Sequence, residues 1–308
     1  MTAELVPLRA LLFRAAYNLP VTLGLQRGIF AAHGLDLSVD YTRGSIMVTE
    51  SLLSGAHDIG VLSADDVIYV VESRGADLFM FMGLNAGILT LMARPEIQTA
   101  ADVVGRRLGV DDPASGFALV AHRILQIGGV SRDQYETVPA GGHEHRARAL
   151  LQGTIDIALL TPPFTLEALA RGFTVLGRGH DHLPAYQASA TVATRRWARD
   201  HADTVIAYIR AHRESLDWTL DPENRAAVTK HLAAEFGLSA EHAEATYAAL
   251  TDPTDGLFPD ARVDVAGVRT ALSLRTEAGL LAPGPRPLTR YYDLTYHERA
   301  STNPGSER

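Results

Sequence analysis

Two segments in the middle of the chain combine groups that bind anions. Ser115-Gly116 and Gly142-His143 each begin a predicted helix, and Arg146 follows one turn into the second. The first turn of a helix leaves backbone N–H groups free at the positive end of the helix dipole, which suits a carboxylate or similar anion. Arginine adds charge-assisted hydrogen bonds. These residues predict an anion site, although an ordinary N-cap at Ser115 and a solvated arginine explain the pattern about equally well.

Adjacent carboxylates form a second candidate. Asp65 and Asp66 follow the end of a predicted strand at Ser63. They suit an acid/base pair or a site for a ligand amine. Adjacent side chains need not converge, however, and acidic residues in a first helical turn are already favoured by the helix dipole. We favour the dipole explanation for this pair.

Metal and cofactor chemistry has little support. His143 and His145, like His180 and His182, are two residues apart and do not share a helical face. The chain has no cysteine, which excludes disulfides, zinc-thiolate sites and thiol nucleophiles. Neither Gly-x-x-x-x-Gly-Lys-Ser/Thr nor Gly-x-Gly-x-x-Gly occurs. We therefore predict no metal site and no cofactor.

The composition is that of a globular protein of two lobes. The 308 residues are 46% hydrophobic and 21% charged, with a formal net charge of −8. No block of basic residues predicts a nucleic-acid partner, and the apolar run over residues 8–16 is too short for stable membrane insertion. The first residues lack the features of a signal peptide. As written, the sequence predicts a cytoplasmic protein, and a periplasmic or cell-surface one only if a leader has been removed.

An internal repeat determines the predicted architecture. Residues 52–63 read LLSGAHDIGVLS and residues 150–161 read LLQGTIDIALLT. In both, a helix ends at a glycine, an aspartate follows, and a short apolar run of strand length ends in a hydroxyl residue. Glycine turns and first strands recur at the same offset. We therefore predict an α/β fold of two similar βαβαβ halves.

The predicted elements follow from this plan. The first half has strands at 8–16, 36–41, 58–63 and 77–83 and helices at 20–32, 45–54 and 65–74. The second has strands at 106–111, 135–138 and 156–160 and helices at 116–128, 143–152 and 164–170. Leu89–Pro95 and Gln187–Thr194 are predicted to be the crossings between lobes, and the residues after Thr194 are predicted to form helices, including one over Arg195–Leu220. The predicted domains are 1–90 plus 190–300 (the larger lobe), 91–189 (the smaller lobe) and a disordered tail at 301–308.

In parallel α/β sheets, ligands bind at the carboxyl ends of the strands and the helix N-termini that follow. Applied to both halves, this rule predicts one cleft with two walls. The predicted ligand-binding residues are Tyr17, Asn18, Gly44, Ser45, Ser63, Asn85, Asp112, Ser115, Gly116, Phe117, Gly142, His143, Arg146 and Thr161.

Four segments resemble a known family, the NMT1/THI5-like and alkanesulfonate/nitrate/taurine group of substrate-binding proteins. They are Leu25–Leu35, Leu53–Gly60, Ala101–Val110 and Arg290–Tyr296, and the resemblance covers nearly the whole chain. It implies a periplasmic-binding-protein-like fold of type II, with two βαβ lobes, a hinge and a ligand cleft between them. Members usually serve an ABC importer, so an ABC permease is an expected partner if the protein is exported.

Two functions follow from these observations. The first is binding of a small polar molecule, expected to be a carboxylate or similar anion. The second is a cytoplasmic, cofactor-independent lyase such as a decarboxylase or dehydratase, with His143, Asp65 and Asp111 as catalytic candidates. The resemblance also covers enzymes, namely sulfinate desulfinases with a cysteine nucleophile and pyrimidine synthases with a cysteine-rich segment, and this chain has neither. We favour binding.

Overall fold

A computed structural model describes residues 4–183 and 185–302. The first sheet contains five strands in the order β2-β1-β3-β10-β4. Strand β10 runs antiparallel to both of its neighbours, and the β1 pairings with β2 and β3 are parallel. The strands are β1 (Val6–Phe13), β2 (Leu35–Thr42), β3 (Ile59–Ser63), β4 (Leu78–Asn85) and β10 (Ser189–Thr194).

The second sheet has the same plan. Its order is β7-β6-β8-β5-β9, with β5 antiparallel to both neighbours and β6 parallel to β7 and β8. The strands are β5 (Thr90–Ala93), β6 (Arg107–Val110), β7 (Glu136–Pro139), β8 (Ile157–Leu160) and β9 (Thr174–Arg178). The predicted α/β class with two βαβ lobes is confirmed.

Helices cover both sheets. Those of the first half are α1 (Leu19–Gln26), α2 (Ile29–Ala32), α3 (Ser45–Ser54) and α4 (Ala64–Arg74). Those of the second are α5 (Gly116–Ile127), α6 (His143–Leu151), α7 (Phe164–Ala170) and α8 (Gly179–His182). The remainder are α9 (Arg195–Asp200), α10 (Ala202–Leu220), α11 (Arg225–Phe236), α12 (Ala240–Leu250), α13 (Val265–Glu277) and α14 (Thr295–Ser301).

Two sequence-based predictions of elements were wrong. The helix expected over 20–32 is two helices, because Gly28 lies in the left-handed region with φ 71° between α1 and α2. The helix expected over Arg195–Leu220 breaks at His201, where the backbone leaves the helical region. The sequence did not predict that each segment expected to cross between the lobes also contributes an antiparallel strand, β5 or β10, to the interior of a sheet.

The internal repeat is visible as a shared hydrogen-bonding arrangement. Arg9 donates to the carboxylate of Asp58 and to the carbonyl of Gly55. Arg107 does the same with Asp156 and the carbonyl of Gly153. Each arginine lies in the first strand of its half, and its hydrogen bonds connect that strand to the turn that precedes the third strand. The two halves are therefore alike in side-chain detail as well as in strand order.

The segments after β10 return to the first lobe and also reach the second. Helix α10 packs on α1 and α14, while α13 packs on α4 of the first lobe and α5 of the second. One buried apolar cluster runs continuously from Leu11 and Met80 of the first sheet to Leu91 and Leu108 of the second. We propose lobe boundaries at the two crossings, near residues 90 and 189. Of the tail predicted to be disordered, Ser301 ends α14 and residues 303–308 lie outside the described residues.

Within the described residues, no helix is both long enough and apolar enough to cross a bilayer.

Candidate functional site

The carboxyl ends of the strands meet where the two lobes face each other, around a cavity of about 10 Å³. A volume of this size is near the minimum for a single water, whereas small-molecule sites usually measure several hundred Å³. The lobes are therefore closed on each other, and an organic ligand enters only if they separate. The lining residues are Phe13, Tyr17, Val61, Leu62, Ser63, Asp66 and Ser189 from the first lobe and Asp111, Ser115, Phe117, His143 and Arg146 from the second.

The start of α5 contacts the first lobe directly. Ser115 caps the helix, because its hydroxyl accepts from the N–H of Ala118 at 3.2 Å. The N–H of Gly116 donates across the cleft to Asp66 Oδ1 at 3.1 Å. A Cβ at Gly116 would lie 2.5 Å from Ser63 Oγ, so only glycine fits this approach. The helix N-terminus predicted to hold an anion thus meets a carboxylate of the protein itself.

Arg146 in α6 is a buried structural group and not a solvated helix residue. Its side chain is 2% exposed and donates to the carbonyls of Leu159, at 3.2 Å, and Gly141, at 2.8 Å. Its Nη2 atom lies 3.1 Å from His143 Nδ1, and its Nη1 atom lies 3.6 Å from Asp111 Oδ1. Arg146 is therefore built into the wall of the second lobe.

The Arg146 contact determines the state of His143. Because arginine only donates, Nδ1 of His143 accepts, and the ring hydrogen lies on Nε2. Burial, reinforced by the charge of Arg146, lowers the pKa of His143 well below its usual value, so the ring is neutral. Nε2 makes no hydrogen bond to any residue that the structure describes. His143 lines the cavity, and its Nε2–H is a hydrogen-bond donor that no described residue pairs with.

Three carboxylates lie at the cleft in different environments. Asp111 accepts from Ser115 at 2.7 Å and from Ser45 at 3.1 Å, beside Arg146. Asp65 is fully buried in an ion pair with Arg275, which is also fully buried.

Asp66 has no such partner: its Oδ1 accepts the Gly116 N–H. The pKa of Asp66 is raised to about 7, chiefly by burial and in addition by the charges of Asp111 and Asp65, although hydrogen bonds from the Gly116 N–H and the Ser63 hydroxyl act to lower it.

Aromatic rings enclose His143 on several sides. Their centroids lie 6.5 Å (Phe13), 6.2 Å (Tyr17) and 5.4 Å (Phe117) from the imidazole centroid. Burial raises the pKa of Tyr17, so its hydroxyl stays protonated. The cavity therefore has apolar walls and polar groups at a few fixed points, as is usual for sites that bind small organic molecules.

Seven of the predicted site residues line the cavity, and the others do not. Tyr17, Ser63, Asp111, Ser115, Phe117, His143 and Arg146 line the cavity. Gly44, Ser45, Asp65, Gly116 and Gly142 flank it without lining it, and Asp112 accepts from the N–H of Ala114 in a local turn. Asn18, Asn85 and Thr161 are buried away from the cavity lining, each with one side-chain polar atom that has no hydrogen-bond partner among the described residues.

Five lining residues were predicted neither as ligand contacts nor as catalytic candidates. Ser189 lies in the segment predicted to cross between the lobes, and Val61 and Leu62 belong to an apolar strand that carries no chemical signal. Phe13 ends the first strand, and Asp66 was assigned to the helix dipole. The sequence did contain one signal for Asp66. It is the third residue after Ser63, which caps the helix, and the side chains of an N-cap and of the third residue after it lie at the same end of the helix.

Within the described ranges, no three His, Asp or Glu side chains are grouped closely enough to hold a metal ion. His143 lies in the cleft, while His180 pairs with Asp181 at 3.1 Å on the surface.

We expect prolonged chelator treatment to leave the melting temperature unchanged, as measured by differential scanning fluorimetry. A fall of several degrees that added Zn²⁺ reverses would contradict this expectation.

The chain is similar in sequence to a known protein family. The model of the NMT1/THI5-like family matches residues 15–226. The chain belongs to this family. None of the curated proteins matches it in sequence.

Solved structures share the fold at low sequence identity. A protein of Bordetella bronchiseptica aligns with a TM-score of 0.82 and 18% identity, covering 96% of both chains. The alkanesulfonate-binding protein SsuA of Xanthomonas axonopodis, bound to MOPS, aligns at 0.78 and 19%, covering 95% of this chain and 99% of the other. The periplasmic nitrate-binding protein NrtA of Synechocystis aligns at 0.81 and 11%, covering 96% and 88%. The predicted family and its periplasmic-binding-protein fold are confirmed.

The close approach at Gly116 leads to a prediction. Gly116→Ala places a methyl group against Ser63 and Asp65 and should disfavour closure by about 1–3 kcal/mol, the usual cost of overpacking. Small-angle scattering should then show a larger radius of gyration than for the wild type. Gly44→Ala is the matched control, because Gly44 is extended at φ −174° with open space around it. Identical scattering for Gly116→Ala and Gly44→Ala would contradict the prediction.

Proposed function

We propose that this protein is a solute-binding protein that closes its two lobes over one small polar organic molecule. The observation that carries the proposal is the unpaired Nε2–H donor of His143, held by Arg146 at a cavity that both lobes line. A donor held in this way is matched by an acceptor on the ligand. We propose that this acceptor is an anionic or strongly electronegative group, and the sulfonate ligand of the Xanthomonas relative and the nitrate specificity of the Synechocystis relative support this choice.

We propose binding in preference to lyase chemistry. Of the catalytic candidates, Asp65 is engaged by Arg275, and Asp111 by two hydroxyls and Arg146. His143 presents a hydrogen to the cavity and not a lone pair, so it cannot accept a proton there without changing tautomer. A general base needs an available lone pair within reach of the substrate. These three residues therefore suit recognition better than proton abstraction.

We further propose a role in ABC-type import, outside the cytoplasmic membrane. The Synechocystis relative is described as periplasmic, which supports a periplasmic or cell-surface location over the cytoplasmic one that the sequence favours as written. The physiological partner would then be an ABC permease. Expression of the complete native gene followed by cell fractionation tests the location, and a purely cytosolic product would contradict it.

The direct test of binding is native mass spectrometry of the purified protein, followed by identification of the compound released on denaturation. Added back at one hundred times its Kd, that compound should stabilise the folded state by about 2.7 kcal/mol. Because a ligand can enter only an open form, small-angle scattering should show that the free protein in solution is on average more open than the structure described above, and that binding lowers its radius of gyration. Conversion of the compound to a product by the purified protein would show catalysis and contradict the proposal.

A further inference from the structure

A groove of about 510 Å³ lies between α5 of the second lobe and α13, which also packs on α4 of the first lobe. Its volume is within the usual range of small-molecule sites, unlike that of the closed cavity in the cleft. His122 and Arg123 line it from α5, and Leu274 and Glu277 line it from α13. As the structure describes them, the linings of the groove and of the cleft cavity have no residue in common. The groove is therefore a separate candidate site with walls on both sides of the closed interface.

His122 brings a buried hydrogen-bond donor to this groove. It is 9% exposed, and burial, together with the charge of Arg132, lowers its pKa to about 4, so the ring is neutral. The hydroxyl of Tyr135 lies 2.6 Å from Nδ1 and makes no other hydrogen bond within the described ranges. Tyr135 therefore donates to Nδ1, and the ring hydrogen of His122 lies on Nε2. Nε2 is buried and has no hydrogen-bond partner among the described residues.

Two arginines give the groove an excess of positive charge. Arg123 Nε is buried without a hydrogen-bond partner among the described residues, and Nη1 lies 3.4 Å from Glu277 Oε2. Arg132 is exposed, donates to the carbonyl of Pro113 at 3.2 Å, and makes no ion pair with any residue that the structure describes. The side chain of Glu277 is 56% exposed, so its pairing with Arg123 is weak. Donors on positive groups favour an anion, because such hydrogen bonds are charge-assisted.

Apolar side chains complete the lining. Leu119, Val130 and Leu274 are buried and line the groove beside the polar groups. Apolar walls with a few fixed donors are usual for sites that bind small organic molecules. The groove therefore suits an anion that has a carbon skeleton better than it suits an inorganic ion.

We infer that this groove binds a small organic anion, with its oxyanion group at His122 and Arg132 and its apolar part against Leu119 and Leu274. Such a ligand contacts both α5 and α13, and a ligand that prefers one of two conformations shifts the population toward it. It should therefore hold the lobes closed and, by linkage, raise the affinity of the cleft for its solute. The site itself does not depend on the proposed function, whereas its effect on solute binding rests on it. The competing explanation is that an ordered water pairs with His122 and the groove has no ligand.

The experiment measures the binding of benzoate by isothermal titration calorimetry, with benzyl alcohol as the neutral counterpart. The wild type should bind benzoate at least about tenfold more tightly than benzyl alcohol, and Arg132→Met should remove this preference. Glu277→Gln removes the negative charge at the groove and should strengthen benzoate binding severalfold. Effects of opposite sign cannot come from a general loss of folding. Arg269→Met changes an exposed arginine of α13 outside the groove and should behave as the wild type.

Two further measurements locate the bound benzoate, because an anion is also expected in the cleft. In protein labelled with ¹³C-histidine, the imidazole signal of His122, assigned with His122→Gln, should shift on titration, and that of His143 should not. Small-angle scattering should show that benzoate lowers the radius of gyration of the wild type. The decrease should be absent in Arg132→Met.

Each outcome supports or overturns the inference without deciding the proposed function. Failure of benzoate to bind overturns it, and so does benzoate binding that Arg132→Met leaves unchanged. Binding that depends on Arg132 but leaves the radius of gyration unchanged overturns the effect on lobe closure. The proposed function is decided separately, by the compound that native mass spectrometry identifies.

Discussion

Arg275→Met is expected to lower the free energy of unfolding by about 3–5 kcal/mol, because it leaves Asp65 as an uncompensated charge with no solvent exposure. Arg275 is itself fully buried, lies 4.6 Å from the ring centroid of Tyr69, and donates to the carbonyl of Ala114 in the second lobe. A loss of this size corresponds to a fall in melting temperature of roughly 6–20 °C. Differential scanning calorimetry measures it.

Two further variants make this result interpretable. Asp65→Leu combined with Arg275→Met removes both charges and should recover most of the lost stability, since a buried ion pair can often be replaced by apolar side chains at little cost. Arg225→Met breaks the ion pair with Glu244, whose side chains are 56% and 43% exposed, and should cost less than about 1 kcal/mol. If Arg275→Met were as mild as Arg225→Met, the buried pair would not be the structural element described here.

Asp66→Asn is expected to stabilise the protein at pH 8. The pKa of Asp66 is about 7 in the folded protein, mainly because the side chain is buried, against a usual value of 3.8. The folded protein therefore holds a proton that the unfolded chain releases between these values. The contribution of Asp66 to stability is most favourable below pH 4 and is lost as the pH rises to 7. At 1.36 kcal/mol per pKa unit, the loss is on the order of 4 kcal/mol.

Asparagine avoids this loss because it carries no charge at any pH and can still accept from Gly116. The difference in melting temperature between Asp66→Asn and the wild type should be near zero at pH 4 and should grow to several degrees at pH 8. Comparing the two proteins at each pH cancels the contributions of the buried histidines, His122 and His212, whose pKa values burial lowers to about 4. If the difference in melting temperature stayed constant from pH 4 to pH 8, the charge of Asp66 would not be what lowers the stability of the folded protein. A residue that lowers stability while lining a cavity is expected where function requires it.

The internal repeat was sufficient to predict the two-lobed fold. Arg9 and Arg107, Gly55 and Gly153, and Asp58 and Asp156 are each separated by the same interval, and the structure joins them into the same arrangement in each lobe. Such positions can be recognised in the sequence because each meets a local structural requirement, such as a helix end, a turn or a strand start. The predicted cleft also followed from topology alone, since strand ends and helix starts define it.

The buried charges could not be predicted in the same way. Arg146 and Arg275 lie in helices with polar neighbours, where an arginine is ordinarily solvated. Asp65, the partner of Arg275, is 210 residues away in sequence, so no local pattern relates the two. Asp66 was underestimated for the same reason. What distinguishes it from an ordinary first-turn aspartate is that Asp111 and Gly116, from the opposite lobe, face it.

The position of β10 has a consequence for how the chain folds as it is made. Among the strands that the structure describes, β4 pairs only with β10, which lies between β3 and β4 and is synthesised about one hundred residues after β4. The strands of the second sheet, by contrast, all lie within one continuous stretch from Thr90 to Arg178. Contacts distant in sequence form late, and domains tend to fold as units when their residues are complete. The second lobe is therefore expected to fold on the ribosome before the first, although the first begins the chain.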